Sequence, residues 1–333
     1  MRRRLMMAGG LPMTYAQVAS FTGVTSTALD VQCSSDGRYV MVSSHILLAE
    51  NGSLAAMLSI PDIQNMGGVG MHPSGEYAIA FGTDGVAYRL YTRSGSAWTE
   101  RNTLIPPDPV WNNGRIRLFA DSDYIITGFT SLESFLNPSD GRLLVREGNV
   151  LNDASGRGIW TILDGPGPII DGTDNMSYFF GKHGNGMVSF GRSTFIYFGN
   201  FLSPPNYPYT ANVTNLIAFC CDKTATNIYA ISHLSQNTML YKVARSGSAI
   251  TNSNTIATFY GSSGHICCSR DGRRVFVASN YNGTDTLRVF VGETKRQEIV
   301  INDAVSGICC DETGENIFIT HGYPTRCLHF KAQ

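Results

Sequence analysis

The chain has 333 residues, a formal net charge of −1 and only 15% charged residues. A surface this close to neutral has no general attraction to nucleic acid or to an anionic membrane, and no run approaches the roughly 18 to 20 apolar residues of a membrane span. The length suits one large domain, and 35 Gly with 13 Pro suit many tight turns rather than long helices.

The chain opens on Met1-Arg2-Arg3-Arg4-Leu5-Met6-Met7-Ala8-Gly9-Gly10. Gly9, Gly10 and Pro12 interrupt the apolar part before it reaches the length of a secretory core. Residues 1–13 therefore read as a basic arm, with Arg2, Arg3 and Arg4 as candidate anchors to a neighbouring subunit, and residues 14–333 as a single domain. The next segment, 16–23, resembles 254–261, the outer strand ahead of the sixth unit described below.

From residue 30 a unit repeats. Residues 30–42 carry small and apolar residues, the polar turn Ser34-Ser35-Asp36-Gly37, then the strand Tyr39-Val40-Met41-Val42. Residues 68–80 repeat it around His72-Pro73-Ser74-Gly75. Further copies lie at 217–231, 265–278 and 307–320, with a degenerate one at 115–128. Gly37 and Gly75 are 38 residues apart, and Gly272 and Gly314 are 42 apart. A period of this length marks a propeller or array. Additional turns near 121–123, 171–174 and 222–224 bring the anchors to seven, so the expected fold is all-β, a seven-bladed β-propeller. Six or eight blades also fit, because the fourth anchor, at 171–174 with a strand at 176–180, competes with 191–197.

Each unit parses as four strands. In the second they fall at 68–71, 77–81, 86–91 and 98–104, joined by turns rich in Gly and Asp that tolerate positive φ. The last unit supplies three, at 307–310, 317–320 and 327–330. Residues 15–22 are expected to add its fourth and so remove the exposed edges of an open ring.

The unit, with its Ser-x-Asp-Gly turn and Tyr-Val-x-Val strand, resembles the repeats of WD40-type and YVTN-type β-propellers over nearly the whole chain from residue 14. The resemblance implies a rigid ring that docks other proteins. No unit carries the Gly-His and Trp-Asp dipeptides together, so the buried hydrogen-bond network of WD40 repeats is not implied.

Residues with chemistry in them are scattered. Six of the eight cysteines form the adjacent pairs 220–221, 267–268 and 309–310. Zinc sites want a gap of about two to four residues, whereas strand neighbours face opposite ways. Cys33, Cys268 and Cys310 each sit four residues before a turn Gly, as Met71 does, and read as small apolar residues packed between blades. Nothing demands a disulfide, and Cys327 has no evident partner. The seven histidines do not cluster. Asp30, Asp171, Asn215 and Asp303 stand where lactonase-like propellers place metal ligands, and read better as solvated turn residues. Asp-box, phosphate-loop and Gly-x-Ser-x-Gly motifs are missing.

Two loops stand out for recognition: 201–210, with Pro204, Pro205, Tyr207 and Tyr209, and 105–111, ending at Trp111. Proline lowers the entropy lost on ordering, and tyrosine offers amphipathic contact area. Lysine occurs only at 182, 223, 242, 295 and 331. Its depletion suits a surface covered by partners, or equally a β-rich chain of extracellular-like composition. The expectation is a non-catalytic structural or interaction propeller, not an enzyme, with protein partners and with no cofactor, metal, nucleic acid, membrane or small-molecule substrate. The first ten residues resemble the starts of small phage structural proteins, which implies a tail or virion subunit; otherwise the chain is expected in the cytoplasm. The alternatives are a WD40-like intracellular adaptor and a metal-dependent lactonase-like hydrolase.

Overall fold

In the computed structural model the described residues are 14–24, 31–60, 66–82, 87–104, 115–118, 124–128, 141–147, 150–153, 161–162, 179–183, 187–192, 195–200, 209–212, 216–222, 226–246, 249–261, 264–281, 284–322 and 324–333. Strand β1 is Tyr15–Phe21. Sheet one holds β2 (Val31–Cys33), β3 (Tyr39–Val42), β4 (His45–Glu50) and β5 (Ser53–Ser59). Sheet two holds β6 (Met66–Met71), β7 (Tyr77–Gly82), β8 (Ala87–Ser94) and β9 (Ala97–Leu104). Sheet three holds β10 (Arg115–Leu118), β11 (Tyr124–Gly128), β12 (Gly141–Glu147), β13 (Val150–Asp153) and β14 (Thr161–Ile162), the last also pairing with β12. Sheet four holds β15 (Phe179–His183), β16 (Met187–Arg192), β17 (Phe195–Asn200) and β18 (Tyr209–Asn212). Sheet five holds β19 (Leu216–Cys221), β20 (Asn227–Leu234), β21 (Asn237–Ser246) and β22 (Ala249–Tyr260). Sheet six holds β23 (Gly264–Cys268), β24 (Arg274–Tyr281), β25 (Thr284–Val291) and β26 (Thr294–Ile301). Sheet seven holds β27 (Val305–Cys310), β28 (Asn316–His321) and β29 (Arg326–Ala332), with β1 alongside β29.

All pairings are antiparallel, and consecutive strands pair with one another. The four strands expected in the second unit are those of sheet two. The chain's start and end share sheet seven, as the short last unit required. Sheet four departs from expectation. Residues 171–178 lie outside the described residues, and the strand expected at 176–180 overlaps β15, which is the first strand of its sheet rather than the second. Gly184-Asn185-Gly186 separates β15 from β16 in the sequence and is the stronger hairpin signal; the 191–197 segment joins β16 to β17.

The first strands lie side by side in succession, β2 against β6, β6 against β10, β10 against β15, β15 against β19, β19 against β23, β23 against β27, and β27 back against β2. Between sheets the core is apolar: Phe276, Leu287, Ile317 and Phe330 pack between sheets six and seven, and Val31, Val40, Phe318 and Cys327 between sheets seven and one. β3 and β28 are buried on both faces over most of their length, so they read as apolar runs rather than as alternating strands.

The polar turns set the spacing. The Ser34 amide donates to the Tyr39 carbonyl, and Ser269, Asp222 and Asp311 donate likewise to Arg274, Asn227 and Asn316. Ser34 and Ser269 each donate a side-chain bond to the Asp two residues on, at 2.5 and 2.7 Å. Asp222 and Asp311 instead accept from the amides of Asn227 and Asn316 at 3.0 and 3.2 Å. One turn geometry is thus satisfied by two side-chain solutions, which is why the repeat looks degenerate in sequence. Gly75 has φ +69, and a Cβ there would lie 2.7 Å from the Tyr39 ring of the preceding sheet.

β1 is held by more than its ladder. The Tyr15 hydroxyl donates to the Gly314 carbonyl at 2.6 Å, and its ring meets Phe276 edge-on at 5.4 Å. Gln297 of β26 accepts from the Tyr15 amide at 2.6 Å and donates to its carbonyl at 3.0 Å. Removing the hydroxyl leaves a buried carbonyl unpaired, so Tyr15→Phe should cost about 1–3 kcal/mol in urea denaturation. Gly95 also has positive φ, but nothing lies within 4 Å of its added Cβ. Gly95→Ala should cost only the ~1–2 kcal/mol of a left-handed residue, and Gly75→Ala should cost at least ~1 kcal/mol more because the Tyr39 ring must move.

Candidate functional site

Adding β1 to the edge of β29 creates a cleft of 660 Å³ between the outer strands of sheets six and seven. One wall is β1 with Gln17, Ser20 and, just past its end, Thr22; the other is β26 with Glu298 and Val300, continuing to Asn302; His321 and Arg326 close the sheet-seven side. Gln297, bridging to Tyr15, ties the walls together. A register shift between Gln17 and Ala19 changes the alternation of β1, so Gln17 and Ser20, three residues apart and both exposed, line the cleft together.

Glu298 already has cationic company: Arg288 donates at 3.0 Å and Lys295 at 2.9 Å. The hydrogen bond from Lys295 is the main reason its carboxyl sits below the usual range. Arg326 is exposed and free of carboxylate partners among the described residues. Val300 is 62% exposed, a large apolar surface on a strand otherwise rich in polar residues. His321 is buried, and neither ring nitrogen has a hydrogen-bond partner among the described residues. Burial holds its pKa below the ordinary value, with Arg326 adding to the effect and Asp303 opposing it. The set offers amides, hydroxyls, a guanidinium and an apolar patch, with the buried His321 ring behind them. It can bind an extended polar segment by hydrogen bonds and one side-chain contact.

The residues singled out in the sequence fall elsewhere. Arg2, Arg3, Arg4, Trp111, Pro204, Pro205 and Tyr207 lie outside the described residues. Tyr209 is not a loop residue: it opens β18, opposite Phe198 of β17, because Tyr209-Thr210-Ala211-Asn212 follows the last proline and is free to pair. Of the four acidic or amide candidates only Asp303 is described, and it is exposed and accepts from the Ala304 amide at 3.0 Å, a turn role. Among the described residues no group of three or more His, Cys, Asp or Glu side chains is placed to hold a metal ion. His72 replaces the turn serine, its Nδ1 lying 2.8 Å from the Ser74 hydroxyl and 3.2 Å from its amide. The cleft itself went unseen in the sequence. Its only signal is that the strand completing sheet seven must leave a groove beside the outer strand of sheet six.

No protein-family model matches the chain, and no curated protein matches it. Among solved structures it is similar to the Myceliophteria thermophila Cps50 (Swd1) β-propeller domain, with TM-score 0.67 over 96% of this chain and 100% of that chain, at 10% sequence identity. The fold is a β-propeller. Its likeness to that domain lies in the path of the backbone and not in the residues, so the propeller's sites rest on its own side chains.

Three buried histidines of the propeller carry a pH signature. His329 stacks on Phe318 at 4.6 Å and has Nε2 2.9 Å from Asn316 Oδ1. Asn316 donates its amide nitrogen to Asp311 at 2.5 Å, so its oxygen must accept and Nε2 carries the proton. Burial lowers His329 from 6.5 to about 4 and lowers His45 and His321 as well. The folded chain therefore binds fewer protons than the unfolded one between these values. The stabilisation is full above about pH 6.5 and is lost as the pH falls towards 4. His329→Phe should lose less stability than the natural chain between pH 7 and pH 4, by up to about 3 kcal/mol, in urea titrations at both pH values.

Proposed function

We propose that the chain is a non-catalytic propeller of seven blades, closed by β1, that serves as a protein-interaction subunit of a larger assembly. The succession of first strands, returning from β27 to β2, supports seven blades in one ring. The observation that carries the interaction reading is the cleft beside β1. Its exposed Val300, and an Arg326 guanidinium with no carboxylate partner among the described residues, suit an extended segment of a partner protein, which would add hydrogen bonds along one wall and bury the valine. The scarcity of lysine supports a covered surface. The resemblance of residues 1–10 to the starts of small phage structural proteins supports a virion, tail or decoration, as that assembly.

Particle-associated mass spectrometry and native size fractionation from the natural source test this. The chain should travel with a large particle. Recovery as a free monomer with stoichiometric bound metal would overturn the reading in favour of a hydrolase. Within such an assembly, Val300→Glu combined with Arg326→Glu should weaken incorporation by at least ~10-fold while leaving the melting temperature of the free chain within about 2 °C, because both positions are at the surface.

A further inference from the structure

Four first strands place six of the eight cysteines at the seams that join one sheet to the next. The cause is strand alternation acting on a repeated position. The residue just before the turn-capping Ser34, Ser269 or Asp311 is Cys33, Cys268 or Cys310, and it faces the preceding sheet. The residue one earlier in the strand is Cys220, Cys267 or Cys309, counted back from Asp222, Ser269 or Asp311, and it faces the following sheet. Cys220 therefore neighbours Cys268, Cys267 neighbours Cys310, and Cys309 neighbours Cys33 across the seams.

Packing says the same independently. Cys220 and Cys268 join the core between sheets five and six, Cys267 and Cys310 that between sheets six and seven, and Cys33 and Cys309 that between sheets seven and one. The adjacent doublets cannot bond within themselves: Cys220 and Cys221 pair across the ladder with Tyr229 and Ile228, and so point to opposite faces. All six thiols are free, and they sit in the seams between sheets rather than on the outer surface.

We propose that these contacts are three latent disulfides, Cys220–Cys268, Cys267–Cys310 and Cys33–Cys309, which close when the folded chain meets a small-molecule disulfide such as oxidised glutathione. In each, one thiolate attacks the glutathione disulfide and releases one glutathione thiolate. The facing thiolate then attacks the mixed disulfide and releases the second. The two protons lost by the cysteines are taken up by the departing thiolates, so each cross-link consumes one oxidised glutathione and yields two reduced ones. Closure requires the facing sulfurs to come to about 2.05 Å. Burial pushes the Cys220, Cys267 and Cys309 thiols up, so closure should accelerate with rising pH. The three bonds would tie sheets five, six, seven and one across the seam where the chain's ends meet. The Cys33–Cys309 bond would join residues 276 apart, the long-loop case in which a cross-link constrains the unfolded chain most.

The test is to incubate the folded, reduced chain with oxidised glutathione at about pH 8, unfold it in urea while blocking remaining thiols with N-ethylmaleimide, and map peptides without reduction. Six of the eight thiols should disappear into the three named cross-links, leaving Cys221 and Cys327 alkylated, and the oxidised form should melt higher than the reduced one, reversibly with dithiothreitol. Cys310→Ser should delete the cross-link to Cys267 alone, leaving that thiol as a glutathione adduct. Thiols that remain free, glutathione adducts without cross-links, or bonds between adjacent cysteines would each overturn the proposal. The peptide map of the natural chain decides this even where the variant fails to fold.

Discussion

The pairing of β1 with β29 is the contact on which the rest of the molecule depends. Tyr15 lies opposite Ala332 and Phe21 opposite Cys327, and the Gln333 amide donates to the Thr14 carbonyl at 3.0 Å. Without β1, the β29 edge would be an open row of donors and acceptors. Phe276 would lose the Tyr15 ring, and Gln297 would face solvent instead of bridging two sheets. The constraint is also long-range, joining residues at opposite ends of the chain, the kind of contact that slows folding. The cleft follows from the same pairing, since β1 is one of its walls.

A second constraint keeps the sheets in step around the ring. Among the described residues three turns reach their neighbours through the backbone: Ser35 donates to the Pro73 carbonyl at 2.8 Å, Arg270 to the Glu312 carbonyl at 2.8 Å, and Glu312 to the Ser35 carbonyl at 2.9 Å. The turn glycines sit against the preceding sheet, Gly272 beside Asp222 and Gly314 beside Ser269 and Arg274. The absent Cβ thus serves both the positive φ of the turn and the close approach of neighbouring sheets. Two phenols finish the arrangement by donating to turn-glycine carbonyls: Tyr229 of sheet five to Gly272 of sheet six at 2.7 Å, and Tyr15 to Gly314 within sheet seven at 2.6 Å. A ring joined by its turns in this way can vary its faces freely, which fits a chain whose resemblance to a solved propeller survives at 10% identity.

What was legible in the sequence was local or periodic. Sheet two could be read strand by strand because Gly75, Gly95 and the alternation around Tyr91 are signals within a few residues of each other. The role of 15–22 was legible because sheet seven came up one strand short and one unplaced strand was left over. Sheet four was misread at 176–180 because aromatic residues such as Tyr178, Phe179 and Phe180 suit any strand of a blade, and only pairing partners reveal which. The cysteine doublets could be placed on first strands, yet which thiol meets which depends on facing direction across two sheets. Cleft residues were invisible for the same reason: Gln17, Val300 and His321 become neighbours only when the ends of the chain meet. The Pro- and Tyr-rich loops drew attention by composition, which does not report contact, and the one described member, Tyr209, is a strand residue.

Native-state hydrogen exchange read by mass spectrometry on peptides covering 15–21 and 317–332 tests the closing contact most directly. If β1 is an integral strand, its ladder amides should exchange only on global unfolding, as slowly as those of β28 and β29. Exchange of the 15–21 amides at the rate of an unstructured peptide, with β28 still protected, would contradict the account.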